Sequence, residues 1–235
     1  MLIYLHIPYC DSKCHYCSFN SYVDKFDTRV DYMKAILNQL DFELKRFDVK
    51  QNQITSVFIG GGTPSTIKPK LYEEFFDKLK NFLTADCEIT IEANPNSATK
   101  EWLFGMANLG INRVSFGVQS FNDEKLKQLG RSHDKNQAIE AINNAQKVGI
   151  EHISCDLIYN AKNDTKELIE NDIDITLSLP IDHISAYELT IEDGTNFKEN
   201  DKQENDELAF FVAQKITKNS FDQYEISNFG KYQCK

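Results

Sequence analysis

Three cysteines near the N-terminus, Cys10, Cys14 and Cys17, constrain this chain more than any other feature. Their C-x3-C-x2-C spacing places three thiolates within one short loop. Such a loop suits a [4Fe-4S] cube, because each thiolate can bind one corner and the fourth iron is left without a protein ligand. An open iron can bind a substrate, as the open position of a catalytic zinc does. The spacing therefore predicts a [4Fe-4S] cluster with one substrate-binding iron.

Two other interpretations of the cysteine loop fit less well. A disulfide framework is typical of secreted chains with an even number of cysteines, and three clustered thiols do not match it. A structural zinc site usually combines C-x2-C with a second, distant pair of ligands, and the sequence has no second pair. His15 is a candidate fourth zinc ligand, although it lies between two cysteines in a tight loop. A structural zinc protein without redox chemistry stays as an alternative of another class.

The composition narrows the class of protein. The 235 residues carry a formal net charge of -10, which argues against sequence-independent binding of nucleic acid. No apolar run reaches the length of a transmembrane helix, and the first residues lack the basic region of a signal peptide. We therefore expect a cytoplasmic protein with reduced thiols, for which peripheral contact with a membrane surface stays open.

Short β-rich segments alternate with helical patterns along the whole chain. Six βα units in series predict a parallel sheet with right-handed crossovers. An open doubly wound sheet and a complete or partial barrel both satisfy this α/β pattern, and no G-x-G-x-x-G or Walker lysine favours a nucleotide-binding fold. The predicted strands are 2–7, 54–59, 88–93, 113–118, 153–159 and 183–189, with a seventh beginning at 223. The predicted helices are 24–47, one from about 69, then 99–109, 134–148, 164–179 and 204–218.

Glycines and polar residues follow five successive predicted strands. In βα barrels, the active site is built from the carboxyl ends of the strands and the loops after them. We therefore expect these groups to converge on one pocket. They are the cysteine loop after the first strand, Gly60 to Gly62 after the second, Glu92 at the end of the third, Gln119 after the fourth and Asp156 in the fifth.

The residue types indicate what such a pocket can bind. Glycines let the backbone approach a ligand closely, although a plain tight turn after a strand explains Gly60 to Gly62 equally well. The guanidinium of Arg131 suits a carboxylate, but a solvated surface arginine is the simpler interpretation when it is taken alone. Glu92 can accept a hydrogen bond from an ammonium group or a sugar hydroxyl, and Gln119 and Asp156 can hold two neighbouring hydroxyls.

Longer motifs surround these residues and run over nearly the whole chain. They are residues 4–17, 60–65, 92–95, 115–121, 129–133 and 156–159. Together they resemble the radical S-adenosylmethionine (SAM) enzymes of the oxygen-independent coproporphyrinogen oxidase group. The resemblance implies a partial (β/α)6 TIM-like barrel of the radical SAM type, formed as one core domain by residues 1–235.

The resemblance also implies a division of labour between the residues. The cluster on Cys10, Cys14 and Cys17 would chelate the amino and carboxylate groups of SAM through its open iron. An electron from a low-potential donor such as flavodoxin or ferredoxin would then cleave SAM into methionine and a 5'-deoxyadenosyl radical. The implied SAM-binding residues are Gly61, Gly62 and Thr63 with Glu92 at the methionine end, Arg131 at its carboxylate, Gln119 and Asp156 at the ribose, and Tyr4 and Tyr16 beside the cofactors.

One position separates two branches of this group. The coproporphyrinogen dehydrogenases carry a further cysteine two places after the third cluster ligand, where this chain has Phe19. Phenylalanine there is similar to the related haem chaperones, which bind haem and pass it to haem proteins. We therefore expect haem as cargo and recipient haem proteins as partners. The alternative within the superfamily is an oxidase that decarboxylates coproporphyrinogen III.

The last part of the sequence departs from these relatives. The haem chaperones continue into a histidine-containing haem-binding motif and a C-terminal domain, and neither follows Ser227 before the sequence stops at Lys235. In addition, Asn160-Ala161-Lys162 stands where the family often has a Gly-Leu-Pro turn. The sequence therefore predicts a radical SAM core without the C-terminal domain of the family.

Overall fold

A computed structural model describes residues 1–234, which form one eight-stranded sheet. The first six strands are parallel and lie side by side in chain order. β8 pairs with β6 in antiparallel orientation, and β7 pairs with β8, also antiparallel. The strands are β1 (Leu2–Ile7), β2 (Ile54–Gly61), β3 (Leu83–Ala93), β4 (Arg113–Gln119), β5 (His152–Tyr159), β6 (His183–Glu188), β7 (Asp222–Gln223) and β8 (Asn228–Gly230).

Helices connect the parallel strands, as the alternating pattern predicts. The capping box of Asp134 and Gln137 begins one of them, and the hydroxyl of Thr99 caps another by accepting from Trp102 N. The helices are α1 (Arg29–Arg46), α2 (Glu73–Leu79), α3 (Lys100–Asn108), α4 (Asp123–Gln128), α5 (Lys135–Lys147), α6 (Lys166–Ser178) and α7 (Asp206–Thr217). Helix α4 was not predicted; it begins after Asn122, whose side chain accepts a hydrogen bond from Lys125 N. Within residues 1–234, no helix is both long and apolar enough to cross a membrane.

The two faces of the sheet differ in polarity because successive strand residues point to opposite sides. On β3 and β4, Ile89, Ile91 and Val114 belong to a single apolar core that also contains residues of the helices. The alternate positions face away from the helices, and we call this the inner face. Thr90 pairs in register with Arg113 on the inner face, and Glu92 pairs with Ser115. The inner face of the sheet is therefore polar at its centre.

The sheet is an open, partial barrel, and the predicted fold class is confirmed. Strands β1 and β7 are its two edges. The seventh strand was predicted to continue from Gln223 to Ser227 and this was wrong, because Tyr224 N bonds to Asn228 O and turns the chain into an antiparallel hairpin. Beyond the hairpin, the Tyr232 hydroxyl accepts from Nε of Arg113 on the inner face at 2.9 Å.

Candidate functional site

The three cysteines lie in the loop after β1, at the carboxyl end of the parallel strands. The loop is anchored at Cys10, whose backbone nitrogen donates to Tyr22 O at 3.1 Å, and it turns where Cys17 N bonds to Cys14 O at 3.2 Å. All three thiols are free. They line the same cavity, so the loop presents three sulfur ligands to one space.

The cavity collects residues from the five βα units that the strand-end pattern predicts, and β6 adds a further one. Eleven of the twelve predicted cofactor residues line it, and they are Cys10, Cys14, Cys17, Tyr16, Gly61, Gly62, Thr63, Glu92, Gln119, Arg131 and Asp156. The remaining one, Tyr4, points from the inner face of β1 into open space, with 59% of its surface exposed and its hydroxyl 2.9 Å from Nδ1 of His6. The structure thus leaves Tyr4 beside the cavity and outside its wall.

Two glycines let the backbone after β2 reach the cysteine loop. A β-carbon on Gly62 would lie 3.0 Å from Cys10 Sγ and 2.8 Å from Tyr9 O, which leaves no room for a side chain. Gly61 has a φ of +114°, which side chains rarely adopt. The next residue, Thr63, donates its hydroxyl to Cys10 Sγ at 3.4 Å. The glycine turn therefore brings the backbone after β2 close to the cysteine loop.

Two carboxylates lie at the floor of the cavity. Gly61 N donates to Glu92 Oε2 at 3.0 Å, and the Ser115 hydroxyl donates to Asp156 Oδ1 at 3.1 Å. Burial and the nearby charge of Asp156 raise the pKa of Glu92 to about 7, and burial also raises the pKa of Asp156. Near neutral pH, Glu92 can therefore either donate or accept a proton within the cavity.

Arg131 crosses the cavity wall and links several segments. Its Nη1 donates to Cys14 Sγ at 3.1 Å and to the Tyr16 hydroxyl at 3.4 Å. Its Nη2 donates to Asn94 Oδ1 at 2.6 Å and to Gly117 O at 2.5 Å. Nε of this buried side chain has no partner among the described residues. An unpaired buried N–H is costly, so this atom is suited to an acceptor from a ligand.

Gln119 is held in an unusual conformation at the end of β4. Its φ is +72°, and the register with β5 shifts between Phe116 and Gln119. Nε2 of His133 lies 3.0 Å from Val118 O and so fixes the preceding peptide. The Tyr187 hydroxyl donates to Gln119 Oε1 at 2.9 Å. These contacts aim the amide into the cavity at a cost in backbone strain of about 1–2 kcal/mol.

Sequence reasoning did not single out Asn94, Ser115 and Tyr187 as binding residues, although all three line the cavity. Asn94 and Ser115 lie within the motifs quoted above. Ser115 and Tyr187 could have been found from strand alternation, because the odd-numbered residues of β4 and β6 lie on the inner face of the sheet. The tertiary contacts of Asn94 with Arg131 and of Tyr187 with Gln119 cannot be inferred from spacing alone.

His15 faces away from the position that a fourth zinc ligand would need. Its Nδ1 lies 2.9 Å from Gln128 O, its backbone nitrogen donates to Leu129 O at 3.1 Å, and its ring packs against Phe197. Among residues 1–234, no group of three His, Cys, Asp or Glu side chains is arranged around a single metal ion. A zinc ion needs its thiolates about 2.3 Å from one point, whereas a cube binds each thiolate to a different iron. His15 is therefore not placed to act as a fourth zinc ligand in this arrangement.

The donors present fit an iron–sulfur cluster and a bound amino-acid group. Three free thiols border a cavity that the glycine turn keeps open, and a buried N–H of Arg131 lacks an acceptor. Carboxylates at Glu92 and Asp156 complement ammonium and hydroxyl groups on a ligand. The iron–sulfur cluster and the amino-acid group would thus each find suitable binding residues in this cavity.

The profile of the Radical SAM superfamily matches residues 4–175. This span includes the cysteine loop and strands β2 to β5 of the cavity. The chain therefore belongs to the radical SAM superfamily. Membership implies a [4Fe-4S] cluster and SAM as cofactors. Within the superfamily, the chain is similar to proteins named heme chaperone HemW.

Three relatives define this similarity. The chain is 37% identical to the heme chaperone HemW of Haemophilus influenzae and 35% identical to that of Escherichia coli, with 99% of the chain and 64% of each relative covered. It is 32% identical to the mitochondrial radical S-adenosyl methionine domain-containing protein 1 of Danio rerio, with 97% of the chain and 54% of that protein covered. The chain thus spans less than two thirds of the length of these relatives.

A solved structure supports the fold. Coproporphyrinogen III oxidase (HemN) from Escherichia coli, described as a radical SAM enzyme, superposes with a TM-score of 0.84 at 24% identity. The superposition covers 97% of this chain and 55% of that one. The likeness establishes the partial TIM-like barrel.

Proposed function

We propose that this chain is the radical SAM core of a haem chaperone of the HemW kind. The observation that carries the proposal is the convergence of three free thiols and eight predicted SAM-binding residues on one cavity. The similarity to HemW proteins over 99% of the chain supports haem as the cargo and haem proteins as the recipients. Residues 1–235 then form one core domain, to which the relatives add further length.

Each side of the cavity has a proposed task. Cys10, Cys14 and Cys17 hold the cluster, which when bound supplies an electron and an iron free to bind SAM. Gly61 to Thr63 leave room for the methionine end of SAM, with Glu92 as acceptor for its ammonium group. Arg131 offers its unpaired Nε–H to the SAM carboxylate. Gln119 and Asp156 bind the ribose hydroxyls of SAM, and Tyr16 covers the buried side of the cavity.

Tyr4 is proposed only as a neighbour of the cofactors, because it stands outside the cavity wall. Phe19 lines the cavity mouth and is 62% exposed, which leaves an apolar ring where the dehydrogenases have a cysteine. An exposed apolar ring suits contact with a flat macrocycle such as haem. A low-potential flavodoxin or ferredoxin is the proposed electron donor. The cytoplasm is the proposed compartment, since thiols stay reduced there.

The first experiment tests the cluster. Wild-type protein and the variants Cys14→Ala and Cys155→Ala are reconstituted anaerobically with iron and sulfide, followed by iron counting and electron paramagnetic resonance with and without SAM. Cys155 is the matched control, because it is a free cysteine buried in the core on β5. We expect about four irons per chain in wild type and in Cys155→Ala, loss of the cluster in Cys14→Ala, and a spectrum that SAM perturbs. Zinc in place of iron would overturn the proposal.

The second experiment separates the chaperone from the oxidase. Haem is titrated into the reconstituted protein, and coproporphyrinogen III is supplied with SAM and a reductant under anaerobic conditions. Saturable haem binding without decarboxylation supports the chaperone. Turnover of coproporphyrinogen III would assign the chain to the dehydrogenases despite Phe19.

A further inference from the structure

Of the three cysteines, Cys14 receives its hydrogen bond from a cation. The Arg131 guanidinium donates to Cys14 Sγ from Nη1 at 3.1 Å. Cys10 Sγ accepts a hydrogen bond from the neutral hydroxyl of Thr63 at 3.4 Å, and Cys17 is hydrogen-bonded by the backbone of Phe19. The three proposed cluster ligands are therefore electrostatically unequal.

The guanidinium cannot easily leave this position. Its other terminal nitrogen, Nη2, is held by Asn94 Oδ1 and Gly117 O. A β-carbon at Gly117 would lie 3.2 Å from Nη2, so the glycine makes room for the arginine. Because Asn94 and Gly117 belong to two different strand ends, the position of the charge is fixed by the sheet itself.

A fixed positive charge beside a cluster ligand has a definite electrostatic consequence. Reduction adds one negative charge to a [4Fe-4S] cluster, and hydrogen bonds to its sulfurs and nearby charge set its potential. The interaction is strong in a buried site because the effective dielectric constant is lower than that of water. A buried cation within hydrogen-bond distance of a ligand sulfur therefore favours the reduced state.

We propose that Arg131 raises the reduction potential of the cluster by holding its guanidinium against Cys14 Sγ. This role is separate from contact with SAM, because Nη1 and Nη2 are already engaged with the protein while Nε is free. The inference rests on the proposed function, since it needs a cluster on these cysteines.

The test is a potentiometric titration of the reconstituted full chain, followed by electron paramagnetic resonance in the absence of SAM. We expect Arg131→Gln to lower the ratio of reduced to oxidised cluster at the wild-type midpoint by about tenfold, equal to about 59 mV for a one-electron couple. Arg131→Lys keeps the positive charge but loses the two terminal nitrogens of the guanidinium. It is expected to shift the midpoint less than Arg131→Gln does. The matched control is Lys34→Gln, which removes an exposed cation on α1 that does not line the cavity.

Each result of the titration either supports or overturns the inference about Arg131. A midpoint for Arg131→Gln equal to that of wild type would overturn the inference. An equal shift in Lys34→Gln would overturn it as well, because the effect would then follow from any lost positive charge. If Arg131→Gln assembles no cluster, Asn94→Ala takes its place, because it removes one acceptor of Nη2 and keeps every cysteine. A lower midpoint in Asn94→Ala would support the inference, and an unchanged midpoint would overturn it. Wild-type protein without any cluster would overturn the proposed function as well.

Discussion

Gly130 lies directly against His15, such that a β-carbon on Gly130 would stand 2.9 Å from His15 Cδ2 and 3.0 Å from its backbone nitrogen. This contact joins the cysteine loop to the turn that carries Arg131. Leu129 O accepts from His15 N, and Gln128 O lies within hydrogen-bond distance of its ring. The histidine is therefore a positioning residue for the loop between Cys14 and Cys17.

Gly130→Ala should displace the cysteine loop and reduce cluster uptake. The substitution adds a clash with His15 to the cost of a side chain at a φ of +72°, which is about 1–2 kcal/mol. Iron content after reconstitution measures the effect. Gly149→Ala is the control, because Gly149 has a φ of +87° but nothing within 4 Å of its β-carbon. Equal iron content in the two variants would contradict the positioning role of the contact between Gly130 and His15.

Glu92→Gln should stabilise the protein without cofactors at pH 8 and have little effect below pH 5. Burial, and after it the charge of Asp156, raises the pKa of the Glu92 carboxyl from its ordinary value of 4.5 to about 7 in the folded chain. The folded state therefore binds more protons in this window, and its stability falls as the pH rises through it. The full cost, about 3 kcal/mol, is present above pH 7.

Urea unfolding at pH 5 and pH 8 measures this difference for wild type, Glu92→Gln and the control Glu204→Gln, which changes an exposed carboxylate. A free energy of unfolding for Glu92→Gln that follows wild type at both pH values would refute the raised pKa. The same variant should bind SAM less tightly, because the neutral amide is a weaker partner for an ammonium group.

Asp164→Ala should strongly destabilise the fold. Asp164 forms an ion pair with Lys125 at 2.8 Å, and the two side chains are 1% and 3% exposed. Removing one partner leaves a buried charge, at a cost of about 3–5 kcal/mol. Lys34→Ala breaks the exposed pair with Asp31 and should change the free energy of unfolding by about 0.5 kcal/mol or less. Similar midpoints of denaturation for both variants would rule out this difference.

Tyr187→Phe should weaken SAM binding about fivefold, the equivalent of about 1 kcal/mol. Without the phenol, Gln119 loses the bond that orients its amide at 2.9 Å. Tyr159→Phe is the matched control, because Tyr159 packs against the apolar core on the helix side of the sheet. Isothermal titration with SAM gives both affinities, and identical values would remove Tyr187 from the site.

The parallel part of the fold could be predicted because apolar spacing and glycine endings are local signals. Strand β4 and helix α5 begin and end within two residues of the prediction. Helix α4 was missed because its six residues are too short for a helical period to show. The hairpin of β7 and β8 was misread as one strand because its direction depends on pairing between β8 and β6, whose paired residues, such as Ser185 and Asn228, are far apart in sequence.

The candidate site likewise has residues that the sequence could predict and contacts that it could not. That Glu92, Gln119 and Asp156 line one cavity follows from their places at strand ends, which the sequence shows. The bond of Arg131 to Cys14 spans 117 residues, and no local pattern encodes it. Tyr4 was assigned to the cofactors through the motif around it, while the structure turns its ring toward Phe58 and open space.

The cysteine loop leaves the ribosome long before the segments that fix it. The carbonyl of His15 accepts hydrogen bonds from Asn196 and Phe197, at 2.9 and 3.2 Å. At a synthesis rate of about 5–20 residues per second, these segments follow the loop by roughly 10 to 40 seconds. During that interval the three thiols belong to an unanchored nascent chain that has no cavity to receive metal. A cluster on these cysteines would therefore meet its complete binding site only after Asn196 and Phe197 have been synthesised, and until then the three thiols depend on reducing surroundings.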